Sequence, residues 1–147
     1  MIARSGEPVE ILLVDDHPGD VRLTEEAFAE CRVRTNLSVA VDGEEAMAFL
    51  RREGEFAEAP RPALIILDLN LPKKNGMRVL TEIRADPTLS EIPVIVLTTS
   101  TSEKDIAEAY QRHANCYITK PVDLDKFFEV VRLIESFWLM IVELPRR

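Results

Sequence analysis

Apolar residues in this chain gather into short runs, and each run stops at a group of distinct chemistry. Ile11-Leu12-Leu13-Val14 stops at Asp15-Asp16, and Ala63-Leu64-Ile65-Ile66-Leu67 stops at Asp68. Pro93-Val94-Ile95-Val96-Leu97 stops at Thr98 and a string of hydroxyls, and Cys116-Tyr117-Ile118-Thr119 stops at Lys120-Pro121. A weaker β-like segment, Asn36 to Val41, precedes Asp42-Gly43. Runs without alternation suit strands buried on both faces. Between them the apolar positions recur at helical spacing. Val21, Thr24, Ala27, Phe28 and Cys31 form one stripe behind Pro18, and Ala46, Phe49 and Leu50 form a second behind the capping-box pair Asp42 and Glu45. Gly76, Val79, Leu80 and Ile83 form a third, stopped by Asp86-Pro87. Ile106, Ala109, Tyr110 and His113 form a fourth behind Ser102 and Asp105. Residues 53–62 show no period and read as a solvated connection.

Strand and helix therefore alternate five times, which predicts an α/β fold with a parallel sheet, right-handed crossovers and helices on both faces. The expected form is a flavodoxin-like (βα)5 doubly wound sheet in the order 2-1-3-4-5. In that order the first and third strands are neighbours at the switch point, so Asp15, Asp16 and Asp68 converge at one edge. The expected organisation is a tail over 1–8, one domain over 9–144 with an extended C-terminal helix, and a tail over 145–147.

Composition narrows the setting. The 18 basic and 26 acidic residues leave a net charge of −8, which argues against a nucleic-acid surface. No membrane span and no signal peptide are legible, so a cytoplasmic location is expected, with Cys31 and Cys116 as free thiols.

Crowded carboxylates repel one another unless a cation sits among them. Magnesium suits such a set, because it takes oxygen ligands and is held by one or two carboxylates together with a phosphate oxygen. Thr98 and Lys120 add a hydroxyl and a fixed positive charge for phosphate oxygens. A carboxylate can be a covalent nucleophile that forms an aspartyl-phosphate, and phosphoryl transfer needs mainly positioning and neutralisation.

These residues, in this order at the ends of four strands, resemble the receiver domain of bacterial response regulators over about residues 10 to 140. The resemblance implies Asp68 as phosphoacceptor, Asp16 as a direct Mg2+ ligand, Asp15 as a ligand through water and the Asn70 backbone carbonyl as a further ligand. Mn2+ or Ca2+ would substitute. It also implies Thr98 and Lys120 at the phosphoryl group, Tyr117 as a rotating switch aromatic coupled to Thr98, and a cis bond before Pro121. A finer likeness, carried by Leu71-Pro72-Lys73-Lys74-Asn75-Gly76, Asn115-Cys116-Tyr117-Ile118-Thr119-Lys120-Pro121 and Phe137-Trp138-Leu139, is to the small single-domain regulators that partner phytochrome histidine kinases. No output domain is expected after Val142.

The segment from Leu124 to Val142 reads as one helix that is apolar almost all round beyond Glu135, so a partner is expected to cover part of it. The expected partner is a second copy, in a homodimer built on the fourth helix, the fifth strand, the fifth helix and the C-terminal extension. Tyr110, Phe127, Phe137, Trp138, Met140 and Ile141 are the expected contacts. His17 and His113 are expected to face solvent. The alternative function is a Mg2+-dependent phosphohydrolase that also forms an aspartyl-phosphate. Such enzymes call for an acid two residues after the nucleophile, and that position here is Asn70. A flavin or nucleotide carrier on the same fold would need a glycine-rich loop after the first strand, where the Asp15-Asp16 pair stands instead.

Overall fold

The computed structural model describes residues 7–145. Five parallel strands, β1 (Val9–Val14), β2 (Thr35–Ala40), β3 (Leu64–Leu67), β4 (Val94–Thr98) and β5 (Cys116–Thr119), form one sheet in the order β2-β1-β3-β4-β5. Helices α1 (Pro18–Ala29), α2 (Gly43–Arg51), α3 (Gly76–Ala85), α4 (Glu103–Gln111) and α5 (Leu124–Ile134) alternate with them. The doubly wound architecture expected from the alternation is the one observed.

The central strands carry unbroken apolar runs because each consecutive side chain has a different core to enter. Leu12, Val14, Ile65, Leu67, Val94 and Val96 pack with α2 and α3 residues such as Met47, Leu50, Val79, Leu80 and Ile83. Ile11, Leu13, Leu64, Ile66, Ile95 and Leu97 point to the opposite face and pack with Ala27 and Phe28 of α1 and Phe127, Val131 and Ile134 of α5. Burying each such side chain contributes about 1.5–3 kcal/mol, which makes the sheet a rigid base for whatever stands at its edge. Register then brings the strand ends level: Val14 of β1 lies beside Leu67 of β3, which lies beside Val96 of β4.

Helix starts follow the capping residues. Asp42 Oδ1 accepts the Glu45 N–H at 2.7 Å, and the Glu45 carboxylate in turn accepts the Val41 N–H at 2.9 Å, one residue ahead of the cap itself. Asn75 caps α3 and Ser102 caps α4 in the same manner.

Three expectations need correction. Residues 53–62 include a 3-10 turn at Gly54–Phe56 whose Phe56 ring packs 5.6 Å from Phe49, so part of this connection is tied to the core. The last helix does not run unbroken to Val142. After Ile134 it widens into a π-helical turn, Glu135–Leu139, where the buried Glu135 carboxylate turns inward to accept the Val33 N–H at 2.7 Å. Phe127, expected at a dimer interface, is 3% exposed and belongs to the chain's own core, whereas Leu133, Phe137 and Ile141 are 62, 52 and 68% exposed. Phe127 is therefore no surface contact.

Cys31 and Cys116 are both free thiols. Burial, reinforced by the nearby Glu135 carboxylate, pushes the Cys31 thiol up to about 12, so it holds no reactive thiolate at neutral pH. Among the described residues no helix is long and apolar enough to cross a membrane.

Candidate phosphoacceptor site

Asp68 follows the last residue of β3, and its side chain is 2% exposed. Its place depends on two close backbone approaches. A Cβ on Gly76 would lie 2.2 Å from the Asp68 carbonyl oxygen, and one on Gly43 would lie 1.8 Å from the Lys74 carbonyl oxygen. The loop after β3 is thus seated directly on the first residues of α2 and α3, which only glycine permits. The Gly76 N–H closes it by donating to the Leu69 carbonyl at 2.9 Å.

Both carboxylate oxygens of Asp68 are occupied. Oδ1 accepts the Thr98 hydroxyl at 2.8 Å and the Asn70 N–H at 3.1 Å. Oδ2 accepts the Lys120 ammonium at 2.9 Å. The same ammonium lies 2.8 Å from Asp15 Oδ2 and 2.9 Å from Asp20 Oδ2. Burial alone would lower the affinity of Lys120 for its proton, but the hydrogen bonds to Asp15, Asp20 and Asp68 outweigh it and hold its pKa above the ordinary lysine value. One fixed positive charge therefore serves three carboxylates from the β5 side.

On the other side stand Asp15 Oδ1, Asp16 and His17. Contrary to expectation, the His17 ring reaches into the cluster although it is half exposed: Nδ1 lies 2.9 Å from Asp15 Oδ1, 3.3 Å from Asp16 Oδ1 and 3.3 Å from Asp68 Oδ2. The hydrogen bond with Asp15 raises the His17 pKa above its ordinary value. Donor atoms of Asp15, Asp16, His17 and Asp68 all fall within 4.8 Å of one another. Asp16 Oδ1 is buried yet has no hydrogen-bond partner, an acceptor left open on the face where carboxylates converge. Three carboxylates, one of them with an unpartnered oxygen, fit a divalent cation.

Sequence reasoning brought Asp15, Asp16, Asp68, Thr98 and Lys120 together correctly and missed two members. Asp20 stands in the first turn of α1, directly after the loop that carries Asp15 and Asp16, and so reaches the same ammonium. His17 directly follows the acidic pair. Tyr117 is partly buried, its hydroxyl donating to the Ser100 carbonyl at 2.9 Å and its N–H donating to the Tyr110 oxygen at 3.1 Å. Ser100 turns its own hydroxyl to Asp105 at 2.6 Å. Lys74 is paired with Glu82 at 2.8 Å and Lys73 lies 3.7 Å from Asp42. His113 is exposed, as expected. The Lys120–Pro121 bond is trans, not cis as the resemblance implied; no cis peptide occurs among the described residues. Trans is the intrinsic preference of such bonds by about 0.5–1 kcal/mol, and Lys120 reaches its carboxylates with it.

Residues 11–132 match the response regulator receiver domain. The chain belongs to that family. This receiver domain is 49% identical to the response regulator Rcp1 of Synechocystis sp. over 99% of both chains. Its fold superposes with a TM-score of 0.92 on the phosphorylated cyanobacterial phytochrome response regulator RcpA, at 52% identity over 95% of this chain and all of that one. The Mn2+-bound form of Rcp1 superposes with a TM-score of 0.91 at 50% identity, again over 95% and 100% of the two chains. The function that follows is that of a response regulator in two-component signalling.

Removing the ammonium while keeping its stem tests the electrostatics. Lys120→Met leaves Asp15 and Asp68 buried against each other, and breaking a buried pair in this way costs about 3–5 kcal/mol. Urea unfolding at neutral pH in chelator should show a loss of that order; a loss below about 1 kcal/mol would mean that the ammonium does not offset the carboxylates.

Proposed function

We propose that this receiver domain accepts a phosphoryl group on Asp68 from the phosphohistidine of a sensor histidine kinase of phytochrome type. The observation that carries the reading is the seating of Asp68: a buried carboxylate at the end of β3 that already holds a hydroxyl on one oxygen and an ammonium on the other. Its similarity to RcpA and Rcp1 supports the choice of kinase.

An Asp68 oxygen attacks phosphorus in line with the phosphohistidine bond, and the P–N bond breaks with its electron pair left on the departing imidazole. Thr98 and Lys120, now bonded to Asp68 itself, pass to the phosphoryl oxygens. Asp15, Asp16, Asp68 and the Asn70 carbonyl would hold a divalent cation, Mg2+ with Mn2+ or Ca2+ as substitutes, which would supply positive charge against the phosphoryl oxygens. The existence of a Mn2+-bound form of Rcp1 supports a divalent cation at this cluster.

The reaction is one self-catalysed transfer followed by slow hydrolysis, not turnover of a substrate pool. Asn70 supports that reading, because its amide cannot lend a proton to a leaving group. Phosphorylation adds roughly 1.5–2 negative charges and new acceptors beside Thr98. As Thr98 follows them, the end of β4 shifts, the Tyr117 bond to Ser100 breaks and the ring turns, which alters the face of α4, β5 and α5. Ser100 and Asn70 flank the phosphoryl group and set its lifetime.

That face and the C-terminal extension pair two copies in the cytoplasm, without nucleic acid. The exposed row of Leu133, Phe137 and Ile141, with Tyr110 at 47% exposure, supports a dimer interface. Trp138 and Met140 lie partly in the chain's own core and contribute their outer edges.

Incubation with a small phosphodonor and Mg2+, followed by intact mass measurement, tests the transfer. One added phosphate, labile to hydroxylamine and absent in Asp68→Asn, is expected; continued release of phosphate from many substrates would overturn the reading in favour of a phosphohydrolase. Light scattering at micromolar concentration tests the pairing. The wild type is expected at twice the monomer mass and Phe137→Glu or Ile141→Glu as monomers; a monomeric wild type would overturn the dimer.

A further inference from the structure

The His17 side chain lies in the cluster but has no part in the transfer described above. His17 brings a nitrogen donor to a site otherwise made of oxygens. We propose that the His17 imidazole is a direct ligand for divalent transition-metal ions at the Asp15, Asp16 and Asp68 cluster, giving the site a preference for nitrogen-binding cations. The proposal rests on the reading of this cluster as a cation site and adds a ligand and a selectivity to it.

The spacing supports ligation. Donor atoms that share one ion at about 2.0–2.2 Å stand about 3.0–3.5 Å from one another around a tetrahedral or octahedral centre. His17 Nδ1 lies 2.9, 3.3 and 3.3 Å from oxygens of the three carboxylates. In the metal-free chain a hydrogen bond to Asp15 and ion pairing with Asp16 and Asp68 hold the ring there, and the same three distances are those of ligands that share one ion.

The open acceptors lie on the same side. Lys120 takes Asp15 Oδ2, whereas His17 faces Asp15 Oδ1 and the unpartnered Asp16 Oδ1. The backbone holds the ring there. Pro18 restricts His17 to extended geometry, observed at φ −89 and ψ 106, and the His17 N–H donates to Asp15 Oδ1 at 2.9 Å. His17 makes no side-chain cap bond to α1, so helix capping does not claim the imidazole.

Imidazole suits ions such as Co2+, Ni2+ and Zn2+, whereas carboxylate, carbonyl and water suit Mg2+. Mg2+ gains nothing from Nδ1 and has to displace the ring to reach the same oxygens. Co2+ keeps the ring as a ligand.

Calorimetric titration of the metal-free chain with Co2+ alone and with Mg2+ alone tests this, in the wild type and in His17→Ala, His17→Asn and Asp16→Asn, with circular dichroism confirming that each variant is folded. His17→Asn keeps an N–H donor for Asp15 but offers no nitrogen lone pair. The expected result is a Co2+ affinity weakened at least about tenfold in both His17 variants, with Mg2+ affinity equal or higher. Co2+ affinity retained in either His17 variant, or Co2+ and Mg2+ weakened alike, would overturn the proposal. The cation-site reading has its own marker: Asp16→Asn should weaken both ions. A wild type that binds neither would overturn that reading and this proposal with it.

Discussion

Four carboxylates at one end of a parallel sheet repel one another, and the rest of this molecule is arranged to hold them there. Asp15, Asp20 and Asp68 share the ammonium of Lys120, which is as buried as Asp15 and Asp68 and more buried than Asp20. Asp16 has no such partner and keeps an unbonded oxygen inside the protein. The site thus carries more negative charge than its own cation offsets. A cluster that still calls for positive charge and has hydrogen-bond donors already in place is suited to receive a phosphoryl group together with a metal ion.

Holding that arrangement requires stiffness, and the stiffness comes from the sheet. The three inner strands bury alternate side chains in two separate cores, so none can slide or rotate without emptying both. The loop after β3 is pressed against α2 and α3 at Gly43 and Gly76, where any side chain would collide with backbone. Asp68 therefore sits on a fixed base, and the proposed response to phosphorylation falls to the ends of β4 and β5. There the hydrogen bond from Tyr117 to the Ser100 carbonyl connects a partly exposed ring to the strand end that carries Thr98.

Strand positions, helix caps and most of the site were legible because they depend on local chemistry. An apolar run that ends in an acid, a hydroxyl or a lysine records both the strand and what stands at its edge. The features that were not legible depend on contacts across the chain. Glu135 reads as the last polar residue of a helix; its role as acceptor for Val33, over a hundred residues away, appears only once α5 lies beside the chain that follows α1. The π-helical turn at Glu135–Leu139 and the exposure of Leu133, Phe137 and Ile141 accompany that contact. Phe127 looked like a surface contact because an apolar helix does not announce which stripe faces its own sheet. His17 carried no partner pattern in sequence, since its partners are the backbone-directed neighbours Asp15 and Asp16 and a residue from β3's end. The trans bond before Pro121 shows where family likeness and the intrinsic preference of the peptide part company.

Among several crowded carboxylates, Asp68 is the one proposed to take the phosphoryl group. Borohydride reduction of the phosphorylated chain converts an aspartyl-phosphate to homoserine, and peptide mass spectrometry then reads the position. Homoserine at residue 68 and at no other aspartate is the predicted result; homoserine at Asp15, Asp16 or Asp20 would contradict the account.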